Sequence, residues 1–329
     1  MQMTTDYGLV YDMRAPAFGA PATELYRAAI EQCAWADQHG FSRVTFPEHH
    51  ASDDGYLPSP IVMAAAVAGV TQQMLIHLSV VLLPLYHPLR AAEDLAVLDL
   101  VSGGRLRLTV AGGYREEEYE QFGLDIRRRP SLMERAVAAL KDAWTGEPFE
   151  FDGRTVRILP RPAQEPRPDI FLGGASPATA KRAARIAEGY EPLGARLYEI
   201  YLDEVRALGR PEPKSSPPSA EPSPLFLHVS DDPERDWPVI APHALYEANA
   251  YGKWVRGRRG AVYAEATDAE ELRQSGMYRV VTPDECVELA RRTGRLTFKP
   301  LMGGLDPKVG WEGLHRFVDD VLPRLNGTT

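Results

Sequence analysis

Cysteine is nearly absent from this chain of 329 residues: Cys33 and Cys286 are the two it has, and they lie far apart. Neither a disulfide framework nor a CxxC metal pair can be built from them, which fits a reduced, cytoplasmic setting. The longest apolar run, Ile61–Val70, has ten residues, whereas a membrane-spanning helix needs about 18 or more. Residues 1–9 lack the basic start and long apolar stretch of a signal peptide. No HExxH occurs, and no GxGxxG follows the first strand candidate, where Gly19 stands alone. The sequence signatures of a zinc peptidase and of a dinucleotide site are therefore both missing. Positive charge is also short, with 37 Lys+Arg against 46 Asp+Glu and a formal net charge of −9. Nucleic acid binding without sequence preference needs a basic face, and this balance disfavours it.

What is present is the composition of a globular protein, 44% hydrophobic and 25% charged, which argues against disorder. Strand and helix signals alternate. Tyr7–Tyr11 reads as a strand. Thr23–His39 reads as a helix, with Leu25, Ala29, Cys33 and Ala36 on one face, Thr23 at its start and Gly40 at its end. Arg43–Pro47 is a short strand, Ser52–Pro60 a loop and Ile61–Thr71 a buried helix. Leu75–Leu83 has the continuous apolar, β-branched character of a strand buried on both faces.

The alternation continues through helix Pro88–Leu100, strand Arg105–Ala111, helix Ser131–Trp144, strand Asp169–Leu172 and helix Pro177–Glu188. A weaker strand signal lies at Tyr190–Leu193. Then come helix Leu197–Leu208, strand Leu225–Val229, helix Asp232–Val255, helix Pro283–Arg292, strand Thr297–Met302 and helix Trp311–Leu325. Such alternation implies a parallel sheet built from right-handed crossovers. Counting the weak strand, the fold expected is an α/β (β/α)8 TIM barrel forming one domain over residues 1–329. An open doubly wound sheet is the alternative. Two segments fit no barrel unit. Residues 145–168 read as an inserted hairpin, and the proline-rich stretch 210–224 reads as an inserted loop on one rim.

In a barrel, chemistry sits at the C-terminal ends of the strands. That rule selects Glu48-His49-His50 after the second strand, Ser79–Leu83 in the third, Gly112-Gly113-Tyr114 after the fourth and Gly173–Ser176 after the fifth. An imidazole titrates near neutrality, so one of His49 and His50 is the acid/base candidate. Loop hydrogen bonding by both histidines, or a metal bound with Glu48, are the competing readings. No partner with convincing ligand spacing appears, and no metal site is assigned. Gly174, Ala175 and Ser176 let a backbone come close to a ligand. Ser176 then caps a helix opening at Pro177, with Thr179 one turn in, an arrangement that favours a phosphate. Gly112 permits a similar close approach. The run Glu116-Glu117-Glu118 reads as a solvated loop face.

Taken in order, several motifs together resemble the bacterial luciferase-like monooxygenase superfamily. They are the ValThrPheProGluHisHis segment at 44–50, the long stretch 78–106 from LeuSerValVal to SerGlyGlyArgLeu, GluGluTyrGluGlnPheGly at 117–123, PheLeuGlyGlyAlaSerPro at 171–177 and ProLeuMetGlyGlyLeuAspPro at 300–307. The resemblance covers most of the chain and is weakest over 190–280. It implies a (β/α)8 barrel with insertions, commonly paired as a homodimer.

The resemblance also implies reduced FMN with O2, or the deazaflavin coenzyme F420 for hydride transfer, acting on a small organic substrate. By it, His49 matches an active-site histidine. Ser79 and Val80 match a non-prolyl cis peptide beneath the flavin ring. Gly174, Ala175, Ser176 and Thr179 match the phosphate turn. Luciferase α subunits carry a basic residue after the fourth strand, and Ala111-Gly112-Gly113 has none, which favours the deazaflavin; the Glu-His-His motif favours FMN. The missing dinucleotide fingerprint implies a separate flavin reductase. The family also contains non-catalytic partner subunits, but the retained histidine pair and phosphate turn argue for an enzyme.

Overall fold

Gly8 and Leu9 are buried in the first strand, β1 (Asp6–Val10). The structure, a computed structural model, describes residues 5–211, 213–215, 217, 223–257 and 263–327. In helix α1 (Ala22–Gln38), Leu25, Ala29, Cys33 and Ala36 are all buried, as their spacing on one face requires. Thr23 does not cap it. Pro21, at φ −59°, leads the chain into the helix, so Thr23 already lies inside the first turn. Strand β2 (Arg43–Phe46), helix α2 (Pro60–Ala68), strand β3 (Leu75–Val81), helix α3 (Pro88–Ser102) and strand β4 (Leu106–Val110) follow as expected. Gly103 ends α3 at φ +66°, a left-handed cap that glycine adopts without a Cβ penalty.

A helix, α4 (Glu116–Gln121), stands where a solvated loop was expected, and α5 (Arg129–Ala143) comes after it. The insertion 145–168 contains the expected antiparallel hairpin, β5 (Phe149–Phe151) with β6 (Arg154–Val156). Next are β7 (Ile170–Gly174), α6 (Pro177–Ile186), β8 (Gly189–Pro192), which is the weak strand signal realised, and α7 (Ala195–Ala207). The proline-rich stretch 210–224 lies partly outside the described residues.

The chain continues through β9 (Phe226–Val229), α8 (Pro233–Val255), α9 (Ala269–Gln274), β10 (Tyr278–Val281), α10 (Pro283–Thr293), β11 (Arg295–Phe298), α11 (Pro307–Arg316) and α12 (Leu322–Asn326). Sequence reading missed α9 and β10; the Thr282–Glu285 capping box right after Tyr278–Val281 was the available punctuation. Strand β11 stops at Phe298, short of Met302, because the chain turns right after it, the Met302 N–H donating to the Lys299 carbonyl at 3.1 Å. The last helix begins at Pro307 behind Asp306, ahead of Trp311, and a π-helical stretch, Phe317–Val321, separates α11 from α12.

The chain divides into two compact units, one within 1–45, 52–57 and 219–329, the other within 46–51 and 58–218. In the first, β11, β1 and β2 are neighbours in that order and all parallel, and β9 pairs with β10, also parallel. In the second, β3, β4, β7 and β8 run parallel in that order. Parallel strands joined through helices make this an α/β fold. Among the described residues, no helix is long and apolar enough to cross a membrane.

The first unit packs Phe226, Trp237, Ile240, Ala244 and Tyr278 into one apolar cluster. It also buries a set of charges that sequence reading did not single out. The Arg14 guanidinium pairs with Asp54 and lies 4.4–4.8 Å from the ring centroids of Tyr56, Tyr251 and Trp254. Tyr246 Oη donates to the same Asp54 carboxylate at 3.0 Å. Burial alone would raise the Asp54 pKa, but Arg14 and these hydrogen bonds hold it below the usual range. Lys299 Nζ donates to Glu247 Oε1 at 2.6 Å and stands 3.5 Å from Asp12 Oδ2. Side-chain exposure is 6% or less for the five charged residues Arg14, Asp54, Lys299, Glu247 and Asp12.

Candidate active site

All the residues singled out for chemistry fall in the second unit. They follow, or lie in, the C-terminal ends of its parallel strands, apart from Glu48-His49-His50, which follows β2. Glu48 is completely committed. Its Oε1 accepts from His50 Nε2 at 2.7 Å and from Tyr86 Oη at 3.0 Å, and its Oε2 accepts from the Leu82 N–H at 2.9 Å. Burial, with Glu48 alongside, pushes the Tyr86 phenol pKa far up, so it stays a donor. His50 thus serves a hydrogen-bonded loop, its ring edge-on to Phe122.

His49 is held differently. Its Nδ1 lies 2.6 Å from Glu118 Oε1. A carboxylate can only accept, so Nδ1 carries a proton, and in the neutral ring Nε2 presents its lone pair. Tyr114 Oη is 3.4 Å from that Nε2. Glu118 also accepts from the His50 N–H at 3.1 Å, while Arg115 Nη1 donates to the His50 carbonyl at 2.6 Å. The backbone around the histidines is therefore clamped from both sides.

This corrects the reading of Glu116-Glu117-Glu118 as a solvated face. The three open α4, and one of three successive helical residues turns inward. Glu116 and Glu117 are exposed and Glu118 is fully buried. Its Oε2 is buried without a hydrogen-bond partner. Among the described residues, no cluster of three or more His, Cys, Asp or Glu side chains is arranged to hold a metal.

Ser79–Val80 is a cis peptide bond, at the position the family resemblance indicated. The register of β3 against β4 shifts there, and both residues keep partial exposure while Leu78 and Val81 are buried. At the end of β7, a Cβ on Gly174 would stand 2.5 Å from Thr179 Cγ2, and one on Gly173 would stand 2.9 Å from Val80 Cγ1. A side chain at either position would force Thr179 or Val80 to shift. Ser176 caps α6 as expected: its Oγ accepts from the Thr179 N–H at 3.2 Å and lies 2.9 Å from Thr179 Oγ1. Ala175 is exposed and Ser176 half-buried, so the turn is open to a ligand.

Gly112 follows β4. Its carbonyl accepts from Tyr119 Oη at 2.5 Å, and the Arg129 side chain lies 3.4 Å from where its Cβ would be. Although 111–113 carries no basic residue, the fold brings a guanidinium-bearing side chain against it. Sequence reading missed Arg129, whose only local signal is its place at the start of α5.

The sequence signature of the luciferase-like monooxygenase family matches residues 7–298. The chain belongs to that family. Among this family member's relatives, the flavin-dependent trigonelline monooxygenase, oxygenase component, of Acinetobacter baylyi is 25% identical over 246 residues, covering 72% of this chain and 68% of the relative. An F420-dependent glucose-6-phosphate dehydrogenase of Nakamurella multipartita is 31% identical, covering 59% and 58%. In most of the curated relatives it matches first, the aligned stretch spans about half their length. In fold, the chain is similar to the oxygenating constituent of 3,6-diketocamphane monooxygenase from Pseudomonas putida, at a TM-score of 0.74 and 18% identity over 98% of this chain and 99% of that one.

Proposed function

We propose that this luciferase-like family member is an enzyme that uses reduced FMN and O2 to oxygenate a small organic substrate. The observation that carries the reading is His49, oriented by buried Glu118 with its Nε2 lone pair turned toward Tyr114. A histidine that only satisfied its loop would need no such carboxylate. The flavin relative supports the choice of cofactor. We also propose that the strands close into one (β/α)8 barrel domain over 1–329, with insertions at about 145–168 and 210–224.

The residues present fit a phosphorylated flavin. Gly174 lets the strand end pack against Thr179, which a Cβ would press at 2.5 Å, and the open turn before α6 would offer the phosphate the Ala175 and Ser176 N–H groups and the Ser176 and Thr179 hydroxyls. Ser79 and Val80 would support the ring, and Gly112 would let it pass close to the backbone. A bound reduced flavin supplies the electrons that activate O2 for transfer of one oxygen atom. His49 holds or moves the proton at Nε2, Glu118 keeps its tautomer, and the buried walls around the pair exclude water.

Ser176→Asp is expected to weaken FMN binding strongly, because a carboxylate then faces the phosphate, while the fold survives because an acidic residue suits a helix start. Flavin titration with a thermal melt checks both; an unchanged affinity would make the turn purely structural.

A second reading has its own support. The F420-dependent relative favours hydride transfer from the deazaflavin, with His49 giving the proton. Titration of the pure chain with FMN, reduced FMN and F420, together with oxygen uptake, separates the two. For partners, we propose a separate flavin reductase, which the word "component" in the trigonelline relative's name supports. NADPH alone is expected to give no rapid turnover, and added reductase with FMN to restore it. Rapid NADPH consumption by the isolated chain would overturn the two-component reading. A homodimer is proposed too, supported by the exposed Val62 on α2 and Val97, Leu100 and Val101 on α3. The proposed location is the cytoplasm.

A further inference from the structure

Glu191, Arg107, His77 and Thr109 are polar side chains of the second unit with no part in the chemistry described above. Glu191, in β8, lies level with Gly173 of β7. Its Oε1 accepts from Arg107 Nη2 at 2.9 Å and Nε at 3.3 Å, and stands 3.5 Å from His77 Nε2. Its Oε2 accepts from Ser79 Oγ at 3.3 Å. His77 Nε2 is also 3.1 Å from Thr109 Oγ1, and the Arg107 guanidinium covers the Phe171 ring at 4.2 Å. Burial opposes ionisation of Glu191, but hydrogen bonds and charge from His77 and Arg107 outweigh it and lower its pKa to about 2. The group is therefore a carboxylate across the physiological range.

A carboxylate can accept and cannot donate. A hydroxyl has one proton, and Ser79 spends it on Glu191. Its lone pairs are what remain for anything that binds at the partly exposed Ser79–Val80 segment. We propose that Glu191, backed by Arg107 and His77, is a positioning residue that makes the Ser79 hydroxyl an obligate acceptor, so that it reads the imide N–H of a flavin-type ring. The inference rests on the flavin reading above and deepens it: it names the ring group recognised at β3. FMN and the deazaflavin share that imide, so the device selects the ring class without choosing between them. A ligand offering only acceptors at this position would face lone pairs and lose affinity.

The test is binding, read by flavin fluorescence and absorbance with two probes, FMN and its N3-methylated analogue, whose imide proton is replaced. The wild-type chain is expected to bind FMN about tenfold more tightly than the analogue. In Glu191→Gln the amide can donate to Ser79, the hydroxyl is free to turn, and the preference falls toward unity. In Ser79→Ala the preference disappears, whereas overall FMN affinity falls only modestly. A purely structural role for Glu191 would shift both affinities together and leave their ratio unchanged. Ser79→Ala removes one oxygen and leaves the Glu191–Arg107 pair in place, so it carries the test even if Glu191→Gln fails to fold. Equal wild-type affinities for the two probes, or a ratio that Ser79→Ala does not change, overturns the inference while the flavin reading stands. A folded wild-type chain that binds neither FMN nor F420 overturns both.

Discussion

Replacement of His49 by alanine is expected to lower turnover about 10²–10⁴-fold, the range an acid/base group supplies. Flavin affinity should change far less, since the phosphate turn and Ser79–Val80 lie on other strands. His50→Ala is expected to be milder, because His50 Nε2 is spent on Glu48 and not directed at a ligand. Glu118→Gln should fall between the two: the ring and its neighbours remain, but an amide can present an N–H to Nδ1 and reverse the tautomer. Steady-state turnover at saturating flavin, measured on variants with matched melting curves, decides the ordering. If His50→Ala proves more damaging than His49→Ala at equal folding, the proton-handling role belongs to the other histidine.

The second large effect concerns stability. Arg14→Ala is expected to destabilise the chain by about 3–5 kcal/mol, the cost of leaving a buried charge without its partner. Asp54 would then stay buried with Tyr246 as a hydrogen-bond donor but no cation. Three aromatic rings would also lose the guanidinium they enclose. The double replacement Arg14→Met with Asp54→Leu should recover much of the loss, because removing both charges removes the desolvation penalty as well. Chemical denaturation of the three chains measures this. A loss under about 1 kcal/mol in Arg14→Ala would mean that solvent reaches the pair and screens it.

The parts of the site that could be read in sequence are those whose geometry is local. Gly174, Ser176, Pro177 and Thr179 form a capped turn because residues within five positions of one another bond to each other. Glu-His-His announced itself because a strand ends there and a polar loop begins. Glu118 could not be read the same way. Its partner His49 is 69 residues away, and three consecutive acids look solvated until the packing of α4 turns one of them inward. Arg129 stayed hidden for the same reason, since its proximity to Gly112 depends on where α5 starts relative to β4.

Sequence alone determined the α/β alternation, the buried faces of the helices and the family resemblance, and it singled out strand ends as candidates for the chemistry. Hydrophobic periodicity, glycine turns and caps act over a few residues, so they survive in one dimension. Tertiary structure alone decided which polar groups meet: Glu118 with His49, Glu191 with Ser79 and Arg107, Arg14 with Asp54, and Lys299 with Glu247. A buried charge is tolerated where a partner and hydrogen bonds offset its desolvation, and that partner is supplied by whichever strand or helix packs alongside.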